Sequence, residues 1–151
     1  METIPIRFYN TASRKKETFK PLHVGCVEMY SCGPTVYESA HLGHYRAYIF
    51  VDTLKRVLSF NGLKVRSVMN ITNVGHLTSD ADVGEDKVEK AAREKQMSAW
   101  DIAEYYTKDF FDAMQKLNVE RPDIVCRATD HIEQMIELVQ KLEEKGYTYR
   151  T

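Results

Sequence analysis

VEMYSCGPTVYESAHLGHYRAYIFVDTLKRVLSFNGLKVRSVMNIT, residues 27–72, changes its hydrophobic period twice, and those changes decide the fold. VEMYSC, Val27 to Cys32, alternates as a buried strand does, and Gly33 with Pro34 stops it. From about Gly43 to Asn61 apolar residues recur at three and four positions. Ala47, Val51, Leu54 and Leu58 carry the repeat, and Tyr48 and Val57 widen the stripe, which predicts a helix. Gly62 follows as a C′ residue, since glycine reaches the left-handed conformation without a Cβ penalty. KVRSVMNIT, 64–72, is strand-like again. Strand, glycine turn, helix, strand predicts a βαβ unit, an α/β fold with a parallel sheet flanked by helices.

Working outward, IPIRFYN at 4–10 predicts a short strand, and the basic TASRKKETF after it reads as a solvated loop or edge strand. Residues 73–86, NVGHLTSDADVGED, read as a loop at the C-terminal end of a strand, the edge where parallel sheets hold ligands. KVEKAAREK at 87–95 predicts a short helix. Ser98 and Asp101 form a capping box before the stripe Ile102, Tyr106, Phe110, Ala113 and Leu117, and Pro122 breaks the pattern beyond it. Asp130 and Glu133 repeat that box before Ile132, Met135, Ile136, Val139 and Leu142, with Gly146 ending the helix. The closing YTYRT is β-prone and reads as an interrupted strand, so residues 1–151 are expected to be the N-terminal part of one catalytic domain, incomplete at the C-terminus.

Composition is globular, with 43% hydrophobic and 28% charged residues. A formal charge of −1 from 21 basic and 22 acidic residues shows no chain-wide nucleic-acid footprint. No run reaches the roughly 18 apolar residues of a membrane span, and METIPIRFYN has no signal-peptide core, so no membrane partner is expected. Cys26, Cys32 and Cys126 form no CxxC pair and suit a reducing cytoplasm.

The chemistry concentrates in YSCGPTVYESAHLGHYR, 30–46. His41 and His44, three apart at a helix start, share a side. The amides around them favour an anion through their unpaired N–H groups and the helix dipole. Gly43 between them keeps Cβ bulk from a bound purine or ribose. A carboxylate attacking the α-phosphate of ATP builds charge on phosphoryl oxygens, and imidazole N–H donors stabilise that charge. The carboxylate is already a nucleophile at neutral pH, so donors serve better than proton abstractors. From the pattern alone three roles stand open for the histidines: phosphate contact, a core or surface role, and metal binding. HxxH without companion ligands is a weak metal motif.

These residues resemble the N-terminal portion of the cysteinyl-tRNA synthetases, class I aminoacyl-tRNA synthetases with a Rossmann-like nucleotide-binding domain. HLGH at 41–44 is similar to the class signature HIGH, and MYSCGPTVYESAHLGHYR at 29–46 matches the family's longer stretch. FYNTASRKKETFKP at 8–21, NIT at 70–72 and RPD…RATDHI at 121–132 add agreement, so the likeness runs from about Ile6 to Tyr149. It implies that Cys32 is a thiolate ligand of a catalytic Zn²⁺ that also takes the thiolate of L-cysteine. It implies that Gly33, Thr35, His41, His44 and Thr72 line the cysteine and adenylate pocket, with both histidines on the ATP phosphates. Cysteinyl-adenylate forms first, Mg²⁺ balancing the phosphate charge, and the cognate tRNA then accepts the cysteine.

The remaining zinc ligands, the KMSKS-type loop and the tRNA-binding helical domain of the family have no counterpart in the sequence, so residues 1–151 alone are expected to be inactive. Cys26 and Cys126 read as structural. The family's NITDIDDK-like stretch is replaced by NITNVGHLTSDADVGEDK, a longer loop that holds His76 and displaces the acidic residues, so no Mg²⁺ role carries over directly to Asp80, Asp82 or Asp86. Three competing readings are a cysteine–amino-sugar ligase, a nucleotidyltransferase of the HxGH superfamily and a non-catalytic nucleotide-binding module. An exposed sheet edge would also offer a route to pairing with a second copy.

Overall fold

The computed structural model describes residues 5–74 and 86–149. A hairpin comes first, β1 (Arg7–Asn10) against antiparallel β2 (Lys15–Thr18). The basic stretch therefore supplies both the turn of a solvated hairpin and its second strand. Next come β3 (Cys26–Ser31), α1 (Leu42–Phe60) and β4 (Lys64–Ile71), the βαβ unit expected from the period changes. α2 (Lys87–Lys95), α3 (Ala99–Lys116), β5 (Ile124–Arg127), a 3-10 turn (Ala128–His131) and α4 (Ile132–Glu144) complete the described order. β3, β4 and β5 form a parallel sheet with β4 central, flanked by helices.

Alternation on β4 sets the packed face. Ser67, Met69 and Ile71 are buried, whereas Arg66 beside them is exposed. Ile71 joins Val36, Val88 and Ala92 of α2, and Ile102 and Tyr106 of α3 in one cluster. Met69 joins Tyr45 and Tyr48 of α1 with Phe110 and Met114 of α3 in the other. α3 thus spans both clusters and ties the ends of the core together.

Local signals hold well at the helix ends. Gly62 and Gly146 adopt φ of 80° and 72°, and each following residue, Leu63 and Tyr147, donates back into the last helical turn. Ser98 Oγ accepts from Asp101 N–H at 3.1 Å and donates to the Asp101 carboxylate at 2.6 Å. Other expectations are corrected. Asp130 sits inside the 3-10 turn, so α4 starts behind His131 without a side-chain cap.

The buried stripe of α1 is Tyr45, Tyr48, Asp52 and Leu58, and Ala47 and Val57 are exposed. Asp52 explains the rotation: its carboxylate accepts from Arg56 Nε at 2.7 Å and from Glu120 N–H at 2.9 Å, so a charged residue occupies the packed side. On α3, Met114 is buried where the stripe placed Leu117, which is 44% exposed. The apolar positions of α4 are not buried, since no described element packs over them. Residues 147–149 form no strand, and β5 was hidden in the sequence because its four residues show no usable alternation.

The sheet carries one titrating brace. Asp123 accepts from Ser67 Oγ at 2.6 Å, Ser67 N–H at 2.7 Å and Lys55 Nζ at 3.3 Å. The Ser67 hydroxyl, then its amide, then Lys55 hold the carboxyl at about 2, below its ordinary 3.8. The folded value is the lower one, so this contribution is full above the ordinary value and is lost as pH falls towards the folded one. Asp123→Asn is expected to flatten the acid limb between those two values, checked by thermal unfolding against pH. An unchanged limb would place the acid sensitivity elsewhere.

Candidate functional site

Cys32 and Gly33 follow β3, and the chain then runs on beside the end of β4. Thr72 N–H donates to Pro34 O at 3.0 Å and Val36 N–H to Thr72 O at 3.1 Å, so Thr35 and Thr72 lie side by side. Gly33 has no room for a side chain. A Cβ there would lie 1.8 Å from Asn70 O and 2.8 Å from Met69 Cγ. Its N–H donates to Asn70 Oδ1 at 3.0 Å, which also accepts from Tyr30 O–H at 2.9 Å, while Asn70 Nδ2 donates to Thr72 Oγ1 at 3.2 Å. Asn70 is thus the strut between the Cys32–Gly33 turn and Thr72. Sequence reading passed over its role, because a mid-strand asparagine gives no signal until β3 and β4 are paired.

The two histidines build the start of α1. His41 is its N-cap, and its Nδ1 accepts from Gly43 N–H at 3.0 Å. His44 Nδ1 accepts in turn from His41 N–H at 3.2 Å, a reciprocal capping box made by two imidazoles. The rings stack with centroids 3.9 Å apart. With each Nδ1 an acceptor, the neutral rings carry their protons on Nε2 and present those N–H groups as donors. A Cβ on Gly43 would lie 2.9 Å from His41 Cε1, so the space this glycine leaves is taken by the His41 ring.

Gly33, Thr35 and His44 line one cavity of about 260 Å³, together with Tyr37, Glu38, Tyr48 and Lys87. Cys32, His41, Gly43 and Thr72 do not line it: Cys32 is exposed beside it, His41 backs His44, and Thr72 backs Thr35. Burial first, then Tyr45 and Cys32, push the Tyr48 phenol up to about 12, so it faces the cavity as a neutral hydroxyl. Glu38, hydrogen-bonded to the Tyr37 hydroxyl, raises that phenol, helped by burial. The Lys87 ammonium stands 5.4 Å from the Tyr37 ring centroid and adds a positive charge to the wall. The cavity roles of Tyr37, Tyr48 and Lys87 went unread in the sequence, since only the tertiary fold turns them towards the signature.

Cys26 is partly buried, and Cys126 Sγ donates to Met69 O at 3.6 Å, which fits structural roles for both. Asp86 Oδ1 caps α2 by accepting from Val88 and Glu89 N–H. His76, Asp80 and Asp82 lie outside the described residues. Among the described residues no three His, Cys, Asp or Glu side chains converge to hold a metal ion, and no helix is long and apolar enough to cross a membrane. Cys32 offers one exposed thiol, a soft donor of the kind zinc takes, but by itself only one ligand.

The model of the tRNA synthetases class I (C) catalytic domain matches residues 18–151. The chain is 53% identical over 144 residues to a cysteine–tRNA ligase of Treponema denticola, covering 95% of this chain and 29% of that protein. It is 51% identical over 146 residues to the cysteine–tRNA ligase of Zymomonas mobilis, covering 97% of this chain and 28% of the relative. A third relative, cysteine–tRNA ligase 1 of Burkholderia lata, is 53% identical over 148 residues, covering 98% and 32%. The chain therefore spans between 28% and 32% of the length of these three curated relatives.

Proposed function

Because the chain belongs to the cysteinyl-tRNA ligase family of class I synthetase catalytic domains, we propose that the protein carrying it activates L-cysteine with ATP and transfers it to its cognate tRNA. One observation carries this reading. The stacked His41–His44 pair at the start of α1 adjoins a cavity walled by Gly33, Thr35, Tyr48 and Lys87 at the C-terminal ends of parallel strands.

The two Nε2–H groups are donors whose rings are held by the hydrogen bonds their Nδ1 atoms already accept in the folded chain. Such donors stabilise charge that grows on a phosphoryl group without reorganising at the moment of reaction. Lys87 adds charge to the cavity wall beside Tyr37, and Mg²⁺ arriving with ATP would balance the triphosphate. Gly33 and Thr35 are held in the same wall by Asn70 and Thr72.

The donor set fits zinc at Cys32 in part, and we assign the companion ligands to segments outside residues 1–151. A zinc ion held there supplies selectivity for a thiolate over a hydroxyl. The names of the relatives favour tRNA over an amino sugar as the acceptor.

The test is pyrophosphate exchange by the protein at the length its gene encodes. Exchange is expected with L-cysteine and not with L-serine, followed by cysteine transfer to tRNA. Absence of cysteine-dependent exchange would overturn the activation step, and transfer to an amino sugar instead would overturn the acceptor.

A further inference from the structure

We infer that the outer face of the β1–β2 hairpin is an RNA-binding surface; the choice of RNA as partner rests on the tRNA reading above. The strand register opposes Arg7 to Thr18 and Tyr9 to Lys16. Successive side chains on a strand point to opposite faces, so Arg7, Tyr9, Lys16 and Thr18 share one side. All four are exposed, Tyr9 at 61%. Ile6, Phe8 and Phe19 take the other side and are half-buried, with Phe8 meeting Phe19 edge-on at 5.3 Å between centroids.

Charge is sorted between the two faces. The hairpin's single carboxylate, Glu17, lies opposite Phe8 on the inner side and accepts from Asn10 Nδ2 at 3.0 Å. The outer side holds cations and an aromatic ring with no acid among them. Arg14 stands at the tip in the left-handed conformation, and Lys20 follows the second strand. Residues 7–20 thus carry five cations against one carboxylate, in a chain whose formal charge is −1. Among the described residues none of the five has a carboxylate within ion-pair distance.

A hairpin whose charge served only solubility would mix both signs on its solvent face. Lysines that merely guard a strand edge do not need a tyrosine set between them and an arginine. Arg and Lys at this spacing meet phosphates, and an exposed phenol ring between them offers a platform for an unpaired base. The chemistry selects an RNA strand with accessible bases. The face is separate from the signature cavity, so its loss acts on RNA affinity and leaves cysteine activation in place.

The experiment uses the gene-length protein and its cognate tRNA. Binding is read by fluorescence anisotropy of labelled tRNA at several salt concentrations, beside cysteine-dependent pyrophosphate exchange, which needs no RNA. Arg7→Glu with Lys16→Glu is expected to raise the tRNA Kd tenfold or more. The same change is expected to flatten the log–log salt slope by about 1.4, as two phosphates keep their counterions. Tyr9→Ala alone is expected to weaken binding about fivefold or more. Lys15→Glu, the same change of charge on the inner face, is expected to shift the Kd no more than about twofold, and exchange stays within about twofold in every variant. Unchanged tRNA affinity in the double variant, or an equal loss from Lys15→Glu, overturns the proposal. If the unmodified protein shows no cysteine-dependent exchange but the double variant still loses RNA affinity, the activation reading fails and the surface stands.

Discussion

Gly33→Ala is expected to destabilise the protein by about 3 kcal/mol or more and to lower cysteine-dependent exchange at least about 100-fold. The added methyl would sit 1.8 Å from the Asn70 carbonyl oxygen, far inside van der Waals contact distance. That atom belongs to the backbone of central strand β4, whose two neighbours hold it, so it has nowhere to go. The turn must move instead. Moving it breaks the 3.0 Å bond from Gly33 N–H to Asn70 and pulls Thr35 away from Thr72. The cavity wall is then displaced by an ångström or so, a distance at which positioned groups lose most of their effect. Thermal unfolding and exchange rates check both parts. A variant with unchanged melting and exchange would mean that the β3 exit bends freely, against the contact described here.

His41 separates two roles that one side chain performs. Through Nδ1 it caps α1, and through Nε2–H it is proposed to meet phosphate. Asparagine caps a helix well, so His41→Asn is expected to keep the melting temperature near that of the unmodified protein while exchange falls by about 100- to 1,000-fold. His41→Ala removes both and adds a loss of about 1 kcal/mol in stability. The ring stack with His44, at 3.9 Å, goes in either variant. Exchange retained in His41→Asn would reduce His41 to a cap and sink its proposed phosphate contact.

Much of the fold was legible because its signals are local. Gly62 and Gly146 stop helices where a left-handed residue is required, and Ser98 starts one with a hydroxyl that caps. Period changes at about Gly43 and Lys64 separate strand from helix. Where a reading depended on a neighbour, it failed or went unmade. The α1 stripe was drawn by hydrophobicity alone, yet Asp52 lies on the packed side because Arg56 and the Glu120 amide are there to meet it. Asp130 looked like a cap, but the chain entering from β5 tightens into a 3-10 turn first. Asn70 looked like any polar strand residue.

By itself the sequence determined the parallel βαβ unit, the order of its elements and the spacing of the cysteine, glycines and histidines, since backbone conformation and side-chain period are properties of neighbouring residues. The tertiary structure alone decided that Asn70 would brace Gly33 against Thr72. It also decided that Tyr48 and Lys87 would share a cavity with His44, and that Ser67 and Lys55 would hold Asp123 ionised. Gly33 lies 37 residues from Asn70 and Ser67 lies 56 from Asp123, and chain separation of that length carries no local signal. Only the pairing of β3 with β4, and the packing of α1, α2 and α3 over one face, brings them within the few ångströms at which hydrogen bonds act.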